Sequence, residues 1–400
     1  MTLDGLITGL SRARTFEKAI SYGSRSADFS LVDGLRAPLL AGLLTRKGGP
    51  RAVLAITPTS RESEALRRSL EAYLPDATIV EFPAWETLPH ERLSPSAETV
   101  GRRIEALRGI RDWSANPAGQ FVLVASVRAA LQPLADNLTE IEPVELVKGG
   151  RGYDLAQLSA RLVDLAYSRV DMVTRRGEFA VRGGILDVFS PAAEHPLRLE
   201  FFGDELEQVR EFSVADQRSL PTEITEAQLP PSREMLLSES VRQRAREMQH
   251  EFPSLSTMLA KIGEGIPVDG MESLAPALVD RLVPLTHYLP PDAAIAVISP
   301  ERVASRAVSL AETNAEFLAA AWNAATAGAE APIDLNAGDF VTVSVLRESA
   351  GSRPWWTLSS FDAGVPEELE ATGLEEYVRI DGTAVPSFAG QLDGSVTHVG

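Results

Sequence analysis

Short, unbroken apolar runs punctuate the first 145 residues, and amphipathic stretches separate them. Ala52–Thr57 (AVLAIT), Ala77–Phe82 (ATIVEF) and Phe121–Ala125 (FVLVA) read as strands, the first and last covered on both faces, because a half-solvated strand would alternate apolar with polar. After the first of them, Thr59-Ser60-Arg61-Glu62 has capping-box spacing, in which Glu62 reaches back to the Thr59 amide. The helix opened there carries Ala65, Leu66, Leu70 and Tyr73 on one stripe. A short helix is predicted near Val127–Ala135. Strands alternating with helices predict a mainly parallel sheet with covered faces.

The pattern changes at Lys148-Gly149-Gly150-Arg151-Gly152. A helix capped by Asp154, with Gln157 in the box position, presents Leu155, Leu158, Leu162 and Leu165. From 176 onward the chain reads strand, turn, strand: E-F-A-V-R, I-L-D-V-F, L-R-L-E-F-F, E-L-E-Q-V-R-E-F. Gly203-Asp204 is a compact hairpin turn between the last two. This predicts an antiparallel, half-buried meander that closes by Pro221 or at Pro230-Pro231. Residues 231–361 return to mixed α/β, with a strand at Ala294–Ser299 and a long Ala-rich helix over 301–326. The run P-E-E-L-E-A-T-G-L-E-E reads as an acidic linker. The expected organisation is therefore an α/β unit (1–145), an α+β insertion on an antiparallel sheet (146–230), a second α/β unit (231–361), a linker (362–380) and the cropped start of a further unit (381–400).

Within the meander, alternation sorts side chains between two faces. Leu197, Leu199 and Phe201 point inward, as do Phe179 and Val181 on a neighbouring strand; Arg198, Glu200 and Phe202 point outward, and so does Arg182. A solvated face laced by cross-strand Arg–Glu pairs fits this arrangement. A partner-binding surface fits it too, since arginine and aromatic residues are enriched where binding energy concentrates and Glu200 can hold the Arg198 guanidinium ready.

Charge and composition narrow the chemistry. The formal charge of −18 is split −5 over residues 1–230 and −13 over 231–400, so general electrostatic attachment to duplex DNA is disfavoured for the second part. With no cysteine there is no disulfide framework or thiol chemistry, as in a reducing cytoplasm. The N-terminal stretch does not read as a secretory signal, and no apolar run is long enough to span a membrane. The five histidines (90, 195, 250, 287, 398) have no metal-binding spacing, and no G-x-S-x-G elbow is present. The place for a phosphate loop, D-G-L-R-A-P-L-L (33–40), lacks the lysine and hydroxyl and reads as an inert turn. Trp355-Trp356 reads as an aromatic pair closing a domain rather than a base-stacking platform. No catalytic residue, metal ligand or bound cofactor is expected in these residues.

R-R-G-E-F-A-V-R-G-G-I-L-D-V-F (175–189) followed by L-R-L-E-F-F-G-D-E-L-E (197–207) resembles the UvrA-binding domain of the UvrB family, and more closely that of the transcription-repair coupling factors. F-P-A-W-E-T-L-P-H-E-R-L-S-P (82–95), V-L-V-A-S-V (122–127) and V-D-G-M-E-S-L-A-P (268–276) agree, so the resemblance covers about residues 20–360. It implies two degenerate helicase-like (RecA/UvrB-like) α/β halves around an inserted UvrA-binding domain, with the phosphate loop erased. It also implies that Arg182, Arg198 and Phe202, with Glu200 between the latter two, contact UvrA. A protein-binding module follows, acting in transcription-coupled nucleotide excision repair with stalled RNA polymerase. The family's ATP- and Mg²⁺-dependent translocase motor, its RNA-polymerase and duplex-DNA contacts, and a C-terminal domain that masks the UvrA-binding face all lie outside these residues. Truncating Arg198 or Phe202 is expected to weaken UvrA binding without unfolding the domain. The rival expectations are a divergent nucleotide hydrolase, binding ATP between the halves, and DNA binding through the arginines of 151–182.

Overall fold

The computed structural model describes residues 3–327, 332, 333, 335, 340–360, 377–380 and 382. In chain order, β1 (Ala27–Ser30), β2 (Ala52–Thr57), β3 (Thr78–Phe82) and β4 (Phe121–Ser126) alternate with helices. Short β5 (Leu134–Ala135) and β6 (Val144–Val147) lead to β7 (Ser168–Arg169), β8 (Glu178–Arg182), β9 (Ile185–Val188), β10 (Leu197–Phe202), β11 (Glu205–Phe212), β12 (Ser219–Glu223) and β13 (Glu226–Leu229). β14 (Leu282–Val283), β15 (Ala294–Ile298), β16 (Trp355–Ser359) and β17 (Tyr377–Arg379) complete the set.

One seven-stranded sheet, ordered β17-β1-β16-β15-β2-β4-β3 and parallel throughout, forms the body. The alternation of its central strands feeds two cores. Leu54 and Ile56 pack on one face with Ile295 and Trp355; Val53 and Ala55 pack on the other with Ala294 and Trp356. The tryptophan pair is thus a strand element with one ring in each core, buried to 5% and 0% exposure, and offers no stacking platform.

This topology corrects the expectation of two α/β halves. β15 and β16 insert between β1 and β2, so these two strands of 231–361 complete the sheet of 1–145, while β14 pairs with β5. Residues 239–263 instead supply helices Glu239–Met248 and Ser256–Gly263, which close a separate apolar cluster with Met235, Leu274 and Leu278. Residues 377–380, expected in the acidic linker, extend the sheet beside β1, with Val378 and Ile380 buried. The rest of that linker (362–376), residue 381 and the segment from 383 onward lie outside the described residues.

Two local expectations are also revised. Residues 33–40 are not a simple turn: a 3₁₀ turn at Asp33–Leu35 runs into the helix Arg36–Thr45, whose residues 37–44 are buried. Pro38 is tolerated because it sits in the first helical turn, where amides have no intrahelical acceptor. The helix after β4 spans only Val127–Ala130. At Thr59 the cap forms, the Glu62 amide donating to Thr59 Oγ1 at 3.3 Å; the Glu62 carboxylate meets the Thr59 hydroxyl and Arg302 rather than the Thr59 amide. Among the described residues no helix is long and apolar enough to cross a membrane.

The second sheet, ordered β12-β11-β10-β9-β8-β7 and antiparallel except for the parallel β7–β8 pair, carries the helix Leu155–Asp164 against its inner face. Its return to the body is fixed by two consecutive residues. Glu234 accepts from the fully buried Arg103 (Nε to Oε1, 2.5 Å) and from the Trp85 indole (3.0 Å). Arg103 also donates to the Pro83 carbonyl (2.8 Å) and Gln132 (3.1 Å) and lies 4.3 Å from the Phe82 ring centroid. Arg233 pairs with the buried Glu272 (2.8 Å), and Ser94 donates to the same carboxylate (2.6 Å). Gly270 (φ 76°) closes this second cluster, since a Cβ there would lie 2.5 Å from the Arg92 Cα. The motifs at 82–95 and 268–276 therefore meet around Arg233 and Glu234.

Glu234→Gln leaves Arg103 charged in a dry site, which is expected to destabilise the fold by about 3–5 kcal/mol in urea unfolding. The double substitution Arg103→Met/Glu234→Met is expected to recover most of that loss, because apolar replacement of both partners removes the uncompensated charge.

Candidate functional site

β10 is the strand on which the site is built, and its two faces have different surroundings. Leu197, Leu199 and Phe201 are buried in the core under the sheet, with Leu206 and Val209 of β11 opposite. A register shift between Glu200 and Phe201 leaves Glu207 as a bulge, so Leu206 and Val209, three apart, both face inward. Phe212, three further on, then falls on the outer face.

The outer face has a covered end and an open end. At the covered end Val173, Ala180, Phe189 and Phe212 form a small buried cluster. Arg198 lies over it, its guanidinium 4.7 Å from the Phe212 ring centroid. Cross-strand register sets Arg198 beside Asp187, and the guanidinium donates to both carboxylate oxygens at 2.7 and 2.8 Å. A third bond reaches the carbonyl of Gln217 (3.1 Å), a residue held at φ 59°. The Asp187 bonds, outweighing partial desolvation, raise the Arg198 pKa above the ordinary arginine value, with Glu200 adding a smaller favourable field. Arg198 is thus charged, oriented and 19% exposed, and Asp187 is 3% exposed.

At the open end Glu200 pairs in register with Ile185 of β9, which in turn pairs with Arg182 of β8. Arg182 is exposed and has no ion-pair partner among the described residues; Glu200 is half-buried. Phe202 ends the row at the Gly203-Asp204 turn and is 76% exposed, more than any other large apolar side chain among the described residues. The Gly183-Gly184 turn keeps Arg182 at the rim: Gly184 carries no Cβ because one would lie 2.6 Å from the Phe201 carbonyl.

The structure therefore places Arg182, Arg198, Glu200 and Phe202 on one face. It also corrects how Arg198 is held, by Asp187 rather than by Glu200. A bidentate pair is shorter and more directional than a diagonal Glu contact, and Asp187 needs the charge because it is itself buried. Asp187 and Gln217 were missed in the sequence. A carboxylate at the outward position of the apolar run I-L-D-V-F was the available signal.

The rival chemistries gain little. No group of metal-ligating side chains occurs among the described residues, and β15 and β16 lie in the same sheet as β1 and β2. Of the 151–182 arginines, Arg151 pairs with Glu205 (2.6 Å), Arg176 with Glu98 (3.2 Å), and Arg161 donates to the Glu142 carbonyl (3.0 Å).

The sequence profile of the UvrB interaction domain matches residues 145–235, the segment that contains the whole face. The transcription-repair-coupling factor of Mycobacterium tuberculosis is 42% identical over 407 aligned positions, covering 96% of this chain and 32% of that protein. Those of Myxococcus xanthus and Bacillus subtilis are 33% and 28% identical, covering 64% and 65% of this chain and 22% of each relative. The chain spans a third or less of the length of these curated relatives.

Arg198→Ala should strand the Asp187 carboxylate and destabilise the domain by about 3–5 kcal/mol. Phe202→Ala should change stability by no more than about 0.5 kcal/mol, as for an exposed side chain. Parallel urea titrations of the two variants check the contrast, and it replaces the expectation that both truncations spare the fold.

Proposed function

With the chain placed among the transcription-repair-coupling factors, as a segment that carries their UvrB interaction domain, we propose that it recruits UvrA during transcription-coupled nucleotide excision repair. The observation that carries the proposal is the exposed Phe202 ring beside a pre-oriented Arg198, with Arg182 unpaired on the same face. An aromatic that leaves water on docking, next to an arginine already fixed in direction, releases binding energy at low ordering cost. Glu200 offers an acceptor for a basic group on the partner.

In this proposal the segment binds protein and hydrolyses nothing. The ATP- and Mg²⁺-dependent motor and the contacts to RNA polymerase and duplex DNA belong to the remainder of the parent protein, acting in the cytoplasm. The parent's C-terminal domain covers the Arg182–Phe202 face until the motor engages. A parallel sheet body without a phosphate-loop sequence supports assigning nucleotide chemistry elsewhere.

Phe202→Ala and Arg182→Ala are each expected to weaken UvrA binding by about 2 kcal/mol, roughly thirtyfold, with the urea midpoint unchanged. Calorimetric titration of UvrA into the two variants measures this. Wild-type affinity in both would exclude the face as the docking surface.

A further inference from the structure

A second surface lies at the free edge of β8, on the inner side of the sheet. β7 pairs only with Glu178 and Phe179, so from Ala180 onward β8 has a strand neighbour on one side alone, β9. The Gly177 and Phe179 carbonyls accept from the Ser168 and Val170 amides toward that edge. Backbone groups alternate sides along a strand, so the Val181 N–H and C=O point the same way, past the end of β7. Unpaired edge groups of this kind template another strand.

Beside this edge runs a groove of about 460 Å³ between β8 and the helix Leu155–Asp164. Leu155, Ala160, Val163, Phe179 and Val181 line it, and Val163 remains 54% exposed. The one charged lining residue is Arg169, which is exposed and has no ion-pair partner among the described residues. The helix turns Leu162 into the domain core, whereas Ala160 and Val163 stand on the groove side and Leu155 borders both.

We propose that this groove binds an extended peptide segment of a partner protein, added as a short strand along Val181, with apolar side chains in the groove and a carboxylate on Arg169. Main-chain bonding to the edge supplies generic affinity, and alternate side chains supply selectivity. A second copy of the chain fits poorly, because the part of its own β8 edge free to pair, Ala180 to Arg182, carries no carboxylate for Arg169. The site is distinct from the Phe202 face, and its occupancy does not depend on what docks there.

The test uses the full 400-residue chain and a fluorescein-labelled, acetylated peptide of sequence Val-Thr-Val-Thr-Asp, whose valines and aspartate share one face of a strand, followed by anisotropy. Saturable binding is expected, weakened at least about fivefold by Arg169→Glu through reversal of the paired charge. Val181→Pro is expected to weaken it similarly, since proline on an edge strand removes only the outward N–H. Phe202→Ala should leave it unchanged, and a peptide with lysine in place of aspartate should not bind. Absence of binding at millimolar peptide, equal binding of the lysine peptide, or indifference to Arg169→Glu would each overturn the proposal. Arg169 is exposed, so that substitution reads the site even if Val181→Pro proves unstable.

Discussion

The bidentate bond between Arg198 and Asp187 is the contact on which the candidate face depends. A carboxylate at 3% exposure must be paired, and β10 pairs it by laying an arginine across the outer side of the sheet. That one requirement fixes the guanidinium over Phe212, draws the Gln217 carbonyl onto it and seals the covered end of the face. The other end stays open, so Phe202, Arg182 and Glu200 stand in water beside a rigid neighbour. Support and exposure are therefore divided along a single strand: Arg198 stabilises the sheet while presenting an edge of its guanidinium, and Phe202 stands 76% exposed.

The same logic, charge buried against charge, joins this sheet to the body. Arg233 and Glu234 are adjacent in sequence and bond in opposite senses, one to Glu272 and the other to Arg103. Two such pairs cannot both be kept if the chain slides or rotates, so the exit from the antiparallel sheet has one register. The ordered motifs at 82–95 and 268–276 owe their composition to this junction: Trp85, Ser94, Gly270 and Glu272 all take part in it. The candidate face is thereby held on a fixed mount rather than on a swinging arm.

Much of this was legible from periodicity. Buried strands such as AVLAIT, the Asp154 cap, the Gly203 turn and the two faces of L-R-L-E-F-F all follow from local rules that side chains obey wherever the strand lies. Strand order is not local. Nothing in AIAVIS says that it belongs between β16 and β2, and so one sheet was read as two α/β halves. The helix at Arg36–Thr45 was hidden by Pro38, which is permissible only because the helix begins two residues earlier. The Asp187 partnership was hidden differently, since Glu200 is nearer in sequence to Arg198 and cross-strand register is set by the turn and the bulge.

The central claim is that the Phe202 ring leaves water when UvrA docks. The most direct measurement is a fluorine NMR titration of the chain carrying 4-fluorophenylalanine at position 202. A resonance that starts at a solvent-exposed shift and moves to a new, solvent-shielded position, saturating with UvrA, is the predicted result. A resonance that keeps its free-state shift and solvent response while the complex demonstrably forms would contradict the account.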